Sequence, residues 1–363
     1  MNVRSAVAHP GASLLQRLHR FRPRFPTAAA LVALLVLLAA AVPEQRLVPT
    51  ASAQGPVMIR ISFQPLPIDA PLLVAKEKGY FEKAGINVEL VELWQSSETL
   101  ASFASGNVVA AAGGFGPAQM NAVSKGFDFT MIAPLHSERP PLTTPLVVRK
   151  ALWDNGTVRS VADLKGHTVG LNSKGSATEY WLYQALATGG LTPNDVDVVA
   201  MPFPDAGVAM ANGALDASLL GEPYATQFEQ QGAIVRLAQD FVNDFQVTAV
   251  YFDTRFAADN RPNIEAFLAA YLQGARDLQG DGYRSADNLA ILEKYTRVPA
   301  ATIAASSLPY HDPDGNVHTA DFQKLNDFFV AQGVAPPVDM SRYIDPTYAE
   351  AARGLLANGL LKP

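Results

Sequence analysis

The chain has 363 residues, of which 48% are hydrophobic and 17% charged, and a formal net charge of −6. This length and apolar content are ample for one or two buried cores, and the acidic balance argues against nucleic acid as a partner. The chain has no cysteine, which excludes disulfides, thiolate metal sites, a cysteine nucleophile and a lipid-anchored cysteine.

The N-terminus has the features of an export signal. Several arginines precede an uncharged apolar run from Ala28 to Val42, and Ala51-Ser52-Ala53 fits the small-x-small pattern of signal peptidase cleavage. The apolar run is shorter than the roughly 20 residues of a membrane span, although an uncleaved anchor helix is the alternative. We therefore predict that residues 1–53 are a signal peptide cleaved near Ala53 and that the protein is exported to the periplasm.

From Val57 onward, short apolar strands alternate with helices, which is typical of parallel-rich sheets covered by helices. The predicted strands of a first series are 58–63, 86–93, 108–112 and 127–134. The strands of a second series are 145–149, 167–171, 196–200, 217–220, 234–237 and 247–252. The remaining chain is predicted to be helical, near 262–271, 285–296, 299–307, 319–332 and 347–357.

The two series of strands predict an α/β fold with two lobes. Residues 57–145 form the first part of lobe one, and residues 146–246 form lobe two. Residues 247–363 supply a crossing strand and return to lobe one, where the C-terminal helices pack. The two crossings, at Thr144–Arg149 and Gln246–Phe252, predict a hinge that suits closure around a ligand.

Ligands of open α/β sheets bind beyond the carboxyl ends of the strands, so the residues at these ends are candidate ligand contacts. In lobe one, the first strand ends at Gln64 and Pro65. The third strand ends at Gly114 and Phe115, just before a helix, and the fourth ends near His136 and Ser137, of which Ser137 is the candidate contact. Glycine permits a close backbone approach and a helix start has free N–H groups, although ordinary strand-to-helix turns are the alternative interpretation.

In lobe two, the loop at residues 172–177 is the sharpest candidate. Ser176 and Glu179 have the spacing of a capping box, which predicts Ser176 as a helix N-cap. Free N–H groups, the helix dipole and hydroxyl groups would then form an anion site, unless the turn is only a capped helix that binds nothing. The candidate ligand contacts in this loop are Ser173, Gly175, Ser176 and Ala177.

Four further candidates lie at or near strand ends. Asp205 is a candidate N-cap or ligand contact. Glu222 follows an apolar strand, where it can accept a hydrogen bond from an amine, an amidine or a hydroxyl, or form an interlobe hydrogen bond instead. Tyr224 and Tyr251 can stack on a ligand or bond to it, or only pack. The six histidines lack metal-ligand spacing and we find no catalytic constellation, so we predict no metal, no cofactor and no enzyme activity.

Several longer stretches resemble a known family. They include "APLLVAKEKGYFEKAGINVELVEL", "LASFASGNVVAAAGGFGP", "VADLKGHTVGLNSKGSATEYWLYQALATGGLTPNDVDVV" and "ALDASLLGEPYATQ". Their order and spacing resemble the nitrate/sulfonate/taurine-type substrate-binding proteins of ABC importers, a group related to thiamine-precursor-binding proteins. The resemblance implies a type-II periplasmic binding fold with ligand contacts at Gln64, Gly114-Phe115, Ser137, 173–177 and 222–224.

We accordingly predict the periplasmic solute-binding component of an ABC importer. It would capture a small organic anion or zwitterion, namely a sulfonate, a taurine-like compound or a carboxylate, and pass it to a membrane permease. The alternatives are a binding protein for an aminopyrimidine thiamine precursor and a pyrimidine-synthesis enzyme on the same fold. We expect a monomer that has no nucleic-acid partner.

Overall fold

The computed structural model describes residues 57–361, so the predicted signal peptide lies outside the described residues. The strands are β1 (Met58–Phe63), β2 (Asn87–Glu92), β3 (Ala110–Gly114), β4 (Phe129–Glu138), β5 (Leu146–Arg149), β6 (Thr168–Leu171), β7 (Asp197–Ala200), β8 (Ala217–Leu219), β9 (Ile234–Ala238) and β10 (Phe245–Asp253). The helices are α1 (Ala70–Glu77), α2 (Tyr80–Lys83), α3 (Ser96–Ala104), α4 (Pro117–Ser124), α5 (Lys150–Asp154), α6 (Thr178–Ala187), α7 (Phe203–Ala211), α8 (Tyr224–Gln230), α9 (Thr254–Asp259), α10 (Arg261–Asp277), α11 (Ala286–Thr296), α12 (Ala300–Ala305), α13 (Thr319–Ala331) and α14 (Thr347–Ala357). Within this part of the chain, no helix has the length and apolar character needed to cross a membrane.

The first sheet has the strand order β2-β1-β3-β10-β4. β1 pairs in parallel with β2 and β3, whereas β10 lies antiparallel between β3 and β4. Four strands therefore run in one direction and β10 alone is reversed. The reversal follows from the route of the chain, because β10 comes from the second sheet and enters at the edge where the other strands end.

The second sheet has the order β7-β6-β8-β5-β9 and repeats this arrangement. β6 pairs in parallel with β7 and β8, and β5 is antiparallel to both β8 and β9. β5 is the strand that enters from the first sheet. We call each sheet with the helices packed on it a lobe, the first lobe containing β1 and the second containing β6. The carboxyl ends of the majority strands in both lobes thus lie at the edge where the chain crosses.

The predicted α/β fold with two parallel-rich lobes is confirmed. Each predicted strand is present, and β4 differs most, because it continues past Pro134 to Glu138. Proline has no amide hydrogen for the sheet, and the pairing of β4 with β10 shifts its register between the pairs at His136 and Pro134. The strand therefore accommodates Pro134 at an irregularity and is longer than the sequence predicts.

The C-terminal helices pack on the first lobe, as predicted, and two of them also contact the second. α10 packs against α1, α2 and α14. Its Phe267 ring stacks on the ring of Phe81 in α2, with centroids 4.9 Å apart. α12 contacts α8, and α13 contacts α6 through the edge-on pair of Tyr180 and Phe328. These helices therefore connect the two lobes in addition to the crossing strands.

Gly274→Ala is expected to destabilise the protein by about 1–3 kcal/mol, because it overpacks the contact between α10 and α1. A Cβ atom on Gly274 would lie 2.2 Å from the carbonyl oxygen of Pro71, so the helices must separate. The matched control is Gly354→Ala in α14, where a Cβ atom meets nothing within 4 Å. Alanine favours the helix, so the control should be neutral or stabilising. Urea unfolding of both variants checks this, and equal stabilities would contradict it.

Candidate functional site

A cavity of about 80 Å³ lies between the lobes, at the carboxyl ends of strands from both sheets. The first lobe contributes the residues after β1 and the end of β3, and the second contributes the residues after β6 and β8. An apolar cavity of about 150 Å³ in another protein holds benzene, so the volume of the present cavity limits its occupant to a small molecule. Its position is the one that the strand-end rule predicts.

Contacts between the lobes close one side of this cavity. The Ala118 amide donates to the Gly175 carbonyl at 2.9 Å, and the Gln95 side chain donates to the Asn172 carbonyl at 2.9 Å. The hydroxyl of Ser173 accepts from the Ser96 amide at 3.1 Å. We call residues 95–96 and 114–118 of the first lobe, with residues 172–177 of the second, the interlobe contact.

Glycine is required in the interlobe contact. A Cβ atom on Gly116 would lie 2.4 Å from the carbonyl carbon of Ser176 and 2.5 Å from the amide nitrogen of Ala177. One on Gly114 would lie 3.2 Å from the Cβ atom of Ala177. The backbone of Gly116 is extended, with φ of −106°, so the contact and not the backbone conformation demands glycine there.

Glu138 forms the acidic wall of the cavity and is only 1% exposed. Its carboxylate accepts from the Thr143 amide at 2.9 Å and from the hydroxyls of Thr143 and Thr144. His136 Nε2 lies 3.4 Å from Glu138 Oε1, while His136 Nδ1 is 2.7 Å from the hydroxyl of Thr248. Burial opposes ionisation, but the hydrogen bonds from His136 and Thr143 outweigh it and hold the pKa of Glu138 below its usual value.

Glu222 lies on the cavity from the second lobe and is paired with an arginine. Arg236 Nη2 is 2.8 Å from Glu222 Oε1, and the amide and hydroxyl of Thr226 donate to the same carboxylate at 3.0 and 3.1 Å. The peptide bond between Glu222 and Pro223 is cis. The charge of Glu222 is therefore balanced inside the protein.

Neutral donors form the rest of the polar lining. The hydroxyl of Ser62, the side-chain amide of Asn172 and the indole N–H of Trp181 line the cavity and donate no hydrogen bond to any residue within 57–361. Tyr251 also lines it, and burial raises the pKa of Tyr251, so its hydroxyl stays protonated. Among the described lining residues there is no lysine or arginine. Neutral donors of this kind can hold an acidic group without an opposing cation.

The sequence-predicted candidates fall into two groups. Some line the cavity directly, and the others lie close behind it or on other surfaces. The lining candidates are Gln64, Gly114, Ser173, Ser176, Ala177, Glu222 and Tyr251.

Three candidates of the first lobe do not line the cavity. Pro65 is buried beside Gln64. Phe115 is fully buried and packs edge-on against Tyr251 at 5.5 Å, so it supports a lining residue from behind. Ser137 is absent from the lining, and its amide donates to the Tyr310 carbonyl at 2.9 Å along the outer edge of β4.

The remaining candidates belong to the second lobe. Gly175 lies in the interlobe contact and donates its amide to Glu179 at 2.6 Å. Asp205 is exposed in the first turn of α7 and makes no capping hydrogen bond. Tyr224 donates its hydroxyl to the Thr296 carbonyl at 3.2 Å, in the C-terminal helices. None of these three lines the cavity.

The predicted capping of α6 by Ser176 is wrong. The helix begins at Thr178, and the Ser176 hydroxyl donates to the Ser173 carbonyl at 2.6 Å. Glu179 does reach back, but it accepts from the Gly175 amide instead of the Ser176 amide. An additional turn between the loop and the helix explains the difference.

Several lining residues do not appear among the sequence candidates. Four of them lie at the polar end of β4 or in the segment after it, namely His136, Glu138, Thr143 and Thr144. The others include Thr248, Ser62 and Trp181. The alternation of side chains along a strand is the signal that could have found two of them, because Ser137 faces away while His136 and Glu138 face the cavity. Within residues 57–361, no group of three His, Asp or Glu side chains is placed to hold a metal ion.

Comparison with known proteins identifies a matching family and several relatives. A family model described as the NMT1-like family matches residues 52–289. A putative aliphatic sulfonates-binding protein of Escherichia coli (strain K12) is 30% identical over 205 residues, which are 54% of this chain and 62% of that protein. The nitrate/nitrite binding protein NrtA of Nostoc sp. (strain PCC 7120 / SAG 25.82 / UTEX 2576) is 24% identical over 286 residues, 74% of this chain and 63% of that protein. The chain thus spans less than two thirds of the length of these two relatives.

Solved structures share the fold. The alkanesulfonate-binding protein SsuA from Xanthomonas axonopodis pv. citri, bound to MOPS, has a TM-score of 0.65 at 20% identity and covers 81% of this chain and 99% of its own. The desulfurization enzyme DSZB has a TM-score of 0.57 at 16% identity, covering 82% of this chain and 99% of its own. The two-lobe periplasmic binding protein fold is therefore shown, and the fold alone does not separate a binding protein from an enzyme.

Proposed function

Because the chain belongs to the NMT1-like family, we propose that it is the substrate-binding component of an ABC importer. It captures a small organic anion or zwitterion, such as a sulfonate, a taurine-like compound or a carboxylate, and passes it to a membrane permease. The observation that carries this proposal is the partly open cavity between the lobes, which has neutral hydrogen-bond donors in its lining and is closed on one side by the interlobe contact.

The relatives support this assignment. Both curated relatives bind small oxyanions by name, and the solved alkanesulfonate-binding protein from Xanthomonas axonopodis pv. citri has the same two-lobe fold. We propose that residues 57–145 and 247–363 form one closing body and residues 146–246 the other. The chain crosses between these bodies at β5 and β10, so they can rotate about the two strands as a hinge.

Binding without chemical conversion is part of the proposal. The hydroxyl of Thr248, the ring of His136 and the carboxylate of Glu138 are bonded in series on the cavity wall, an order that nucleophilic catalysis also uses. Binding without conversion is therefore supported by the curated relatives, which are binding proteins by name. A pyrimidine amidine bonded to Glu222 has little support, because Arg236 and Thr226 already occupy that carboxylate.

We further propose export to the periplasm with cleavage near Ala53 and action as a monomer. The apolar run and the small-x-small sequence support export. Intact-mass measurement of the protein recovered from a periplasmic extract tests the cleavage site. A mass that retains residues 1–53 would contradict it.

Small acids are expected to raise the melting temperature of the purified exported protein. A ligand that binds only the folded state adds about 2.7 kcal/mol of stability at 100 times its dissociation constant. The measurement is a thermal-shift panel of taurine, alkanesulfonates, nitrate, small carboxylates and aminopyrimidines, followed by calorimetry of each hit. A shift with aminopyrimidines alone, or with no compound of the panel, would contradict the proposed ligand class.

A further inference from the structure

We propose that Glu138 receives an ammonium group of the ligand, and that the cavity therefore selects small zwitterionic acids over acids without an amine. This inference rests on the proposed binding function and names the substrate class of the same cavity. It moves the cation-recognising role from Glu222, where the sequence places a carboxylate, to a residue at the end of β4.

The hydrogen bonds of Glu138 leave room for one more donor. Three of its four protein contacts end on Oε1, namely the hydroxyls of Thr143 and Thr144 and the ring of His136. Oε2 accepts only from the amide of Thr143, at 2.9 Å. A carboxylate has about four acceptor positions, two on each oxygen, so Oε2 keeps one position for a ligand.

The charge of Glu138 has no counter-ion comparable with that of Glu222. Glu222 is matched by Arg236 at 2.8 Å, whereas the single ionisable partner of Glu138 within residues 57–361 is His136, at 3.4 Å. The ring of His136 is shared between two partners, because its Nδ1 lies 2.7 Å from the hydroxyl of Thr248 and its Nε2 lies 3.4 Å from Glu138. A buried carboxylate with so long a contact to its ionisable partner is less well compensated than one paired with arginine, so a ligand that brings a cation is favoured.

The acid group of a zwitterionic ligand can bind to the neutral hydrogen-bond donors of the cavity. Ser62 and Tyr251 both pair with Ala111, one from each neighbouring strand of the first sheet. Asn172 and Trp181 line the cavity from the second lobe. An acid without an amine would use these donors but would also bring a negative charge into a cavity that already contains Glu138. Like charges in a site of low dielectric repel, so this ligand is disfavoured.

Matched pairs of ligands separate the two cases. Taurine and ethanesulfonate differ by an amine, as do β-alanine and propionate, and γ-aminobutyrate and butyrate. Calorimetry on the unmodified protein should give at least about 10-fold tighter binding for the aminated member of a pair, as expected for one hydrogen bond to a charged group. This comparison needs no variant, so it does not depend on whether a substituted protein folds.

The variant Glu138→Gln keeps the shape of the side chain and removes its charge. It should weaken the aminated ligand about 10- to 100-fold and leave the matched acid unchanged or tighter. Glu350→Gln, at an exposed position on α14, is the matched control and should change neither affinity. Circular dichroism of both variants establishes that they are folded.

The outcomes distinguish the two proposals. If acids with and without an amine bind equally, or Glu138→Gln weakens both members of a pair alike, the role of Glu138 is overturned while the binding function stands. If no acid of either kind binds to the folded, unmodified protein, the proposed function fails and the present inference fails with it.

Discussion

The substitution Gly116→Ala is expected to weaken ligand binding at least about 100-fold while the protein remains folded. In the interlobe contact, a methyl group on Gly116 would approach two backbone atoms of the second lobe, at Ser176 and Ala177, to within 2.4 and 2.5 Å. Backbone atoms cannot rotate away as the end of a side chain can. The lobes must therefore stay apart, and the closed cavity is lost.

The size of the effect follows from the population of the closed state. The apparent dissociation constant rises in inverse proportion to the fraction of protein that can bind, so a closed fraction of about one in a hundred raises it about 100-fold. Calorimetry with the tightest ligand of the thermal-shift panel measures the affinity. Small-angle scattering should show that the radius of gyration falls on ligand addition for the unmodified protein and does not fall for the variant.

Gly354→Ala in α14 is the control, because it adds the same methyl group at a glycine that does not line the cavity. A Cβ atom on Gly354 meets nothing within 4 Å, so affinity should stay within a few-fold of the unmodified protein. If Gly116→Ala binds as tightly as Gly354→Ala, closure through the interlobe contact is not required for binding. Near-equal melting temperatures of the two variants would exclude unfolding as the cause of any loss.

Replacing Arg236 with methionine is expected to cost about 3–5 kcal/mol of unfolding free energy. The side chain of Glu222 is fully buried, and Arg236 Nη2 lies 2.8 Å from its carboxylate. Methionine fills a similar space but leaves this carboxylate without a cation, and removing one partner of a buried pair is far more costly than removing both. Denaturant unfolding monitored by fluorescence measures the loss.

A double variant tests the reason for that cost. Arg236→Met combined with Glu222→Gln removes both charges, so it should recover most of the lost stability. The exposed pair of Arg255 and Asp259, at 3.7 Å, offers a control, and Arg255→Met should change stability by less than about 0.5 kcal/mol. Equal costs for Arg236→Met and Arg255→Met would mean that the buried pair is not needed to balance Glu222.

The positions of the strands could be predicted because each one is a short apolar run bounded by turns. The direction of β5 and β10 could not, because a strand does not carry its direction in its composition. Both are reversed because they enter their sheets from the other lobe, at the carboxyl edge, and this is a property of the chain path. The sequence predicts that β4 ends at Pro134, because proline is unfavourable inside a paired strand, whereas the strand continues to Glu138.

The site could be predicted where a residue directly follows a strand, as Gln64, Ser173 and Glu222 do. The prediction of the site fails where the direction of a side chain determines whether a residue lines the cavity. The sequence favours Ser137 at the end of β4, but its neighbours His136 and Glu138 line the cavity and Ser137 does not. The pairing of Glu222 with Arg236 joins β8 to β9 in space, and no spacing in the sequence indicates it.

The absence of a basic side chain from the described lining of the cavity has a consequence for the kinetics of capture. Because the described lining residues include no lysine or arginine and the whole chain carries a net charge of −6, the protein gives an approaching anion no long-range attraction. Encounter is then governed by diffusion and by the opening of the lobes. Added salt, which slows association with basic proteins by screening attraction, would here screen only a weak repulsion, so uptake would work similarly in dilute and in saline surroundings.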